Sequence, residues 1–206
     1  MHSLRTLFFP LGKNHPKYKQ YITWSFASTI IVSAESALAT HSMLHAIGSD
    51  SDTIRTFNYI GKDVIGQIGA LIYISKMSEK ADKNPKNFLL YSNILQQSSY
   101  IFMSATPLFS SYFLPIAGIS NIFSNISFTG FGAINAKCIQ NLSLDNNTGE
   151  IYSKIAAVNT LGSSVGLLCG LGIIAIIPDY NTRLLITPIL ASLRIFTYNR
   201  AIKGLI

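Results

Sequence analysis

Between Asn87 and Ala136 the chain runs for 50 residues without one Asp, Glu, Lys or Arg, and much of that stretch is Leu, Ile, Phe, Tyr, Ala and Gly. A helix crossing the roughly 30 Å hydrocarbon core of a bilayer needs about 20 mostly apolar residues, so a run of this length broken by a proline has room for two crossings. The break falls at Pro107. Charged residues make up only 12% of the 206-residue chain, against about 25% in soluble domains. The deficit argues against a soluble all-helical domain and for one helical membrane domain covering residues 1–206.

The net charge of +7 would raise nucleic-acid binding in a soluble protein. Here the basic residues gather in the connections between apolar segments, which points to anionic lipid surfaces and membrane orientation, and no nucleic-acid partner is expected. Two cysteines, Cys138 and Cys169, imply no disulfide framework. The opening residues hold Arg5 and a short Leu7-Phe8-Phe9 patch, too brief for a signal-peptide core. No cleaved secretory signal is expected, while an organelle-targeting extension stays open.

Six apolar segments follow a basic N-terminal stretch, 1–19, that carries Lys13, Lys17 and Lys19. They are expected at about 21–47, 53–75, 88–105, 108–136, 155–177 and 184–196, the last as a short or tilted crossing. Lys76, Glu79, Lys80, Asp82, Lys83 and Lys86 form a mixed-charge connection after the second. Pro115 and Gly118 would bend the fourth, or Ser124 to Ser127 would break it. A polar loop is expected at 137–154, and Pro178-Asp179-Tyr180-Asn181 is a strong turn signal.

The expected architecture is therefore all-α: a polytopic helical membrane protein of about six transmembrane helices with both termini on one side. Thirteen of the sixteen Lys and Arg residues then share one compartment, Arg55 and Arg183 lie opposite, and Lys62 sits inside a crossing. By the positive-inside pattern both termini face the cytoplasm, or the stroma or matrix of an organelle.

Two charges in the second segment stand out. A charge near the bilayer centre costs at least about 2.5 to 3.5 kcal/mol, so Lys62 and Asp63 need partners or a wet cavity. Neighbours on a helix point about 100° apart, which predicts separate partners for the two. Glu35, midway along the first segment, is the expected partner of Lys62. The candidate ligand site comprises Glu35, His41, Lys62, Asp63 and Gln67; the competing reading is an interhelical ion pair that locks two helices together.

Gly162, Gly166 and Gly170 repeat every four residues and put small residues on one helix face, and Gly66 and Gly69 follow the same logic. Helix packing is the plain reading and a homodimer seam the functional one. Asn58-x-x-Gly61 with Gly66 and Gly69 faintly echoes Asn159-x-x-Gly162 with Gly166 and Gly170, and with these helices running oppositely this suggests a weak 3+3 inverted repeat. The histidines show no metal-ligand pattern, no nucleophile or catalytic carboxylate pair is evident, and neither a cofactor nor an enzyme activity is expected. Glu150 and Lys154 read as a helix-capping and boundary pair.

These motifs resemble the root UVB sensitive (RUS) family of membrane proteins over nearly the whole chain. The resemblance rests on Phe9-Pro10 with Gly12, Tyr21 with Trp24, Leu38-Ala39-Thr40 with Leu44 and Gly48, and Lys62-Asp63-x-x-Gly66-Gln67-x-Gly69. It also includes the loop motif Asn147-x-x-Glu150-x-x-Ser153-Lys154. The chain departs from the family at Ala157-Val158 and at Gly48-Ser49-Asp50, and Asn93 stands where the family carries Asp. The resemblance implies a link, through plant members, to UV-B responses of the root, seedling development, vitamin B6 homeostasis and auxin distribution, with plastid residence for some. Transport or binding of a small polar or amphipathic metabolite is the leading expectation. A membrane scaffold, docking a relative or a second copy without transport, is the alternative.

Overall fold

Backbone groups in long apolar runs are satisfied within the segment itself only as helix. A computed structural model of the chain describes residues 7–13, 15–48, 51–144 and 146–206, side chains of 76–82 excepted, and among these residues no strand forms. The elements are α1 (Tyr18–Ile47), α2 (Asp52–Lys83), α3 (Pro85–Ala105), a 3-10 turn (Thr106–Tyr112), α4 (Phe113–Leu142), α5 (Thr148–Ile176) and α6 (Tyr180–Ile202).

Local chemistry sets the ends. Gly48 leaves α1 with φ of 72°, a conformation that favours glycine. Asn84 caps α3, accepting from the Asn87 amide at 3.5 Å, and Pro85 occupies the first turn, where its missing donor is harmless. Asp179 caps α6: the Thr182 hydroxyl and amide donate to it at 2.5 and 2.7 Å and hold its carboxyl below the ordinary carboxylate value.

The charge-free run folds back on itself. The turn begins at Thr106 beside Pro107, and Phe109 leaves helical geometry at φ −133°, ψ 45°. Beyond it α4 returns along α3, with the Ser120 hydroxyl donating to the Ser99 carbonyl at 2.7 Å and Phe102 against Phe123 at 6.0 Å. Several expected boundaries shift. Helix α4 continues through Ser124 to Ser127 and reaches Leu142, and α5 begins at Thr148, so the polar loop expected at 137–154 shrinks to 143–147. Helix α2 extends to Lys83, through the stretch expected as a connection, and α6 is 23 residues long instead of short. Charged residues at a boundary suggest a loop, but a helix projecting into water carries them without penalty.

Two pairs of helices run parallel and close. Gly162, Gly166 and Gly170 of α5 meet Phe26 and Thr29, then Ile30 and Ser33, then Ala34 and Ala37 of α1. Gly61 and Gly69 of α2 meet Leu114 and Ile122 of α4, and Gly118 of α4 meets Ile65. Helix α6 runs antiparallel to α1, pairing Gln20 with Arg200, Trp24 with Phe196 and His41 with Arg183. At one end the Lys17 ammonium donates to the carbonyls of Lys203 and Gly204 at 3.4 and 3.1 Å, so the start of α1 and the end of α6 meet.

An apolar core around Tyr18, Tyr21, Leu89, Ile134, Leu142 and Ile151 is joined by many buried polar side chains, and much of the exterior is apolar. Ser28, Glu35, Asn93, Gln97, Ser99, Thr106, Ser120, Ser127, Thr187 and Arg194 are buried, while Phe57, Leu71, Phe128, Leu168, Ile176 and Leu185 are exposed. Three helical stretches, Tyr18–Ile47, Pro85–Leu142 and Thr148–Ile176, are long and apolar enough to cross a membrane, the second containing the α3–α4 hairpin.

A Cβ on Gly166 would collide with the Ile30 carbonyl oxygen and lie 2.9 Å from the Ile30 Cα, so α1 and α5 would have to separate. Gly166→Val should destabilise the protein by about 1 to 3 kcal/mol, as overpacking does. Gly172→Val, where a Cβ meets nothing within 4 Å, should leave stability within about 1 kcal/mol of wild type. Thermal unfolding of detergent-purified protein checks both.

Candidate functional site

Polar side chains at helical spacing on α1, namely Ser25, Ser28, Thr29, Ser33 and Ser36, face into the bundle rather than toward its exterior. The close α1–α5 approach brings Asn159 and Ser163 opposite them: the Asn159 carbonyl accepts from Ser25 and Thr29 at 3.3 Å each, and Ser33 donates to Ser163 at 3.2 Å. Helices α3, α4 and α6 close the other sides with Gln96, Tyr100, Phe128, Phe131, Asn135, Arg194 and Tyr198. Together these residues bound a cavity of about 370 Å³, within the range of small-molecule sites. Phe128 is 71% exposed, so the cavity opens on the α4 side.

Arg194 is the charge in the cavity wall. It is 6% exposed, donates through Nη1 to the Ser28 hydroxyl, and lies over the rings of Tyr198 and Phe131 at 4.6 and 5.4 Å. Its Nε has no hydrogen-bond partner, and neither does the Gln96 carbonyl oxygen. Arg55 pairs with Asp52 and Lys62 with Asp63, whereas no described carboxylate lies within ion-pair distance of Arg194. The Tyr198 hydroxyl donates to Asn135 at 2.8 Å, fixing two more groups of the wall.

Of the five candidate ligand residues, Glu35 lies beside this cavity. It is fully buried, and the Gln97 amide, oriented with its nitrogen toward the carboxylate, donates to both oxygens at 2.9 and 3.1 Å. The other four lie elsewhere. His41 is six residues further along α1, about 9 Å along the helix axis, with Nδ1 3.4 Å from Arg183 Nη1. Gln67 is exposed on α2.

Lys62 does not reach Glu35, because α2 packs on α4 while α1 packs on α5 and α6. It pairs with its own neighbour: Nζ is 2.6 Å from Asp63 Oδ1 and 4.4 Å from the centre of the Tyr59 ring. The expectation of separate partners fails because the flexible lysine stem spans the angle between adjacent side chains. Asn121 of α4 joins them, its amide donating to Asp63 at 2.8 Å and to the Lys62 carbonyl at 3.1 Å. The pair is thus a fastening of α2 to α4.

Gly66 and Gly69 admit Asn121 and Ile122 at this same seam, and Gly162, Gly166 and Gly170 admit α1. The loop motif holds down the N-terminal residues: Glu150 accepts from the Leu11 amide at 2.7 Å and Asn147 donates to the Lys13 carbonyl at 3.1 Å. Lys154 is half-buried on the first turns of α5. Asn93 is fully buried with neither amide atom partnered.

Sequence reasoning missed Arg194, Gln96, Tyr100, Asn135 and Asn159. Arg194 reads as part of the basic flank of the last segment, yet α6 continues to Ile202 and carries it into the core. The polar stripe on α1 was the available signal.

This is an all-helical bundle with a largely apolar exterior, many polar side chains buried beside its apolar core, and a cavity walled by one arginine that has no ion-pair partner among the described residues. The family profile described as "Vitamin B6 photo-protection and homoeostasis domain" matches residues 1–206. The chain belongs to the root UVB sensitive family. It is similar to protein root UVB sensitive 4 of Arabidopsis thaliana, 29% identical over 181 residues, 86% of this chain and 35% of that one. RUS family member 1 of Dictyostelium discoideum is 26% identical over 196 residues, 91% and 37% of the respective chains. Protein root UVB sensitive 2, chloroplastic, of Arabidopsis thaliana is 23% identical over 203 residues, 96% and 47%. The chain therefore spans roughly a third to a half of the length of these relatives. No solved structure matches it.

Removing Asp63 leaves the Lys62 ammonium buried without its carboxylate, whereas removing Lys62 leaves a carboxylate whose side chain is 42% exposed and still bonded to Asn121. Asp63→Asn should be the more damaging change, at about 3 kcal/mol, and Lys62→Met combined with Asp63→Asn should recover much of that loss. A thermal-unfolding double-mutant cycle measures the coupling.

Proposed function

We propose that the chain is a multi-pass membrane protein that binds and moves a small polar or amphipathic metabolite through the cavity around Arg194. The observation that carries this reading is the cavity itself, lined by hydroxyls and amides inside a bundle whose outer surface is apolar. Side chains such as Phe57, Leu71, Phe128, Leu168, Ile176 and Leu185 stand exposed, and large exposed apolar surfaces belong against lipid or protein. The alternating directions of the six helices fit six crossings. Lys13, Lys17, Lys19, Lys86, Lys137, Lys154, Arg200 and Lys203 then lie toward one end, with Arg55 and Arg183 toward the other, which favours both termini on the cytoplasmic, stromal or matrix side.

The packing supports the inverted repeat. Gly61, Ile65 and Gly69 step along α4 at Leu114, Gly118 and Ile122, as Gly162, Gly166 and Gly170 step along α1. The α3–α4 hairpin then corresponds to the antiparallel α6–α1 pair. In this pairing the α2–α4 fastening by Asn121 stands where the α1–α5 wall has its Ser33–Ser163 bond. Two halves of opposite orientation about a central site are the arrangement by which inverted-repeat transporters alternate access. The reading assigns binding and passage, with no catalytic step.

One observation favours the scaffold alternative. A wide groove of about 810 Å³ runs along α2 and is lined by Phe57, Ile60, Val64, Ile65 and Leu114. Purified protein in liposomes should take up one or more vitamin B6 compounds above empty liposomes, with a change on imposing a proton gradient. Asn159→Leu, which removes the acceptor for Ser25 and Thr29 and fills the cavity, should lower uptake at least tenfold. Uptake that stays flat for every compound, from cooperatively folding protein, supports the scaffold.

A further inference from the structure

The cavity's one formal charge identifies the kind of molecule it fits. Resting on the binding reading above, we propose that the ligand is a small organic anion, a carboxylate or phosphate monoester on an aromatic or apolar body, anchored by Arg194. A guanidinium in a low-dielectric interior is costly to hold there unless an opposite charge compensates it. In this structure the compensation is incomplete. Nη1 has a neutral hydroxyl, Nε has no partner, and two ring faces supply the rest. Cation–π contacts offset part of that cost and leave the charge formally unpaired.

Glu35 is the nearest rival for that role. Both of its oxygens are occupied by the Gln97 amide, it does not border the cavity, and it makes no ion pair with Arg194. The cavity wall itself holds no carboxylate, so an entering anion meets the Arg194 charge directly, with the Glu35 carboxylate behind the wall acting on that charge from beyond ion-pair distance. Guanidinium is the side chain best shaped to grip a carboxylate or phosphate through two parallel bonds. The rest of the wall fits the rest of such a molecule. Tyr100, Phe128, Phe131 and Tyr198 offer aromatic faces, and the exposed position of Phe128 puts one of them at the opening.

The test uses matched probes and the full chain in lipid nanodiscs. Phenyl phosphate and benzoate are compared with benzyl alcohol and benzamide by calorimetric titration. The proposal predicts saturable binding of the anions at least tenfold tighter than of their uncharged counterparts. Arg194→Gln should remove that preference and Arg194→Lys should keep part of it. Gly132→Leu supplies a variant expected to fold, since a Cβ at Gly132 meets nothing within 4 Å while the residue borders the cavity. It should weaken every probe that binds.

Equal affinity for charged and uncharged probes, lost in Gly132→Leu, overturns the anion assignment and leaves the cavity as a binding site. Anion binding unchanged in Gly132→Leu and Arg194→Lys places the probe elsewhere and overturns the assignment. Absence of saturable binding for all four probes, with cooperative unfolding intact, overturns both this inference and the binding reading beneath it.

Discussion

The structure depends on the closeness of α5 to α1. Three glycines four residues apart let the two backbones approach until the Ile30 and Ala34 carbonyls fill the space where side chains would stand. At that separation short side chains are enough to bridge the helices, which is why Ser25, Thr29 and Ser33 reach Asn159 and Ser163 directly. The same closeness turns the polar stripe of α1 inward, so one glycine seam supplies both a packing surface and a cavity wall. Among apolar neighbours such packing, with its small interhelical hydrogen bonds, is a principal source of helix association.

Polar groups enclosed this way are expensive unless each finds a partner, and the bundle meets that condition unevenly. Glu35 is satisfied by Gln97, Ser99 by Ser120, and Lys62 by Asp63 with Asn121. Arg194, Gln96, Asn93, Ser104 and Arg183 retain unpartnered atoms. The satisfied groups fasten helices; two of the unsatisfied residues, Arg194 and Gln96, border the cavity. Arg194 is the one formal charge of the cavity wall, which moves attention from the α2 charges to α6.

The sequence makes the helical segments legible because the absence of charge is a direct consequence of apolar surroundings, and Pro107 marks the hairpin within a few residues of its turn at Phe109. Helix ends are less legible: Lys137 and Lys83 lie within helices that run past the apolar segment. Lys62 and Asp63 stand out as buried charge, but their partners depend on which helix lies beside α2, and adjacency in sequence does not give that. Arg194 stays hidden because a basic residue near the end of an apolar run looks like a boundary anchor until α6 is seen to continue. Gln96 and Tyr100 stand four residues apart on one face of α3, but no spacing in the sequence links them to Asn135 of α4, and only the fold brings the three together.

The most direct test of this account is a disulfide between α1 and α5 in the native membrane. With Cys138 and Cys169 replaced by serine, Ser33→Cys and Ser163→Cys are introduced together, at positions whose hydroxyl oxygens are 3.2 Å apart. Mild oxidation should link them rapidly and nearly completely, as it should link Ser99→Cys with Ser120→Cys across the hairpin, where the hydroxyl oxygens are 3.1 Å apart. Linking of the hairpin pair alone, with the thiols introduced by Ser33→Cys and Ser163→Cys remaining free, would contradict the parallel α1–α5 seam and the cavity built upon it.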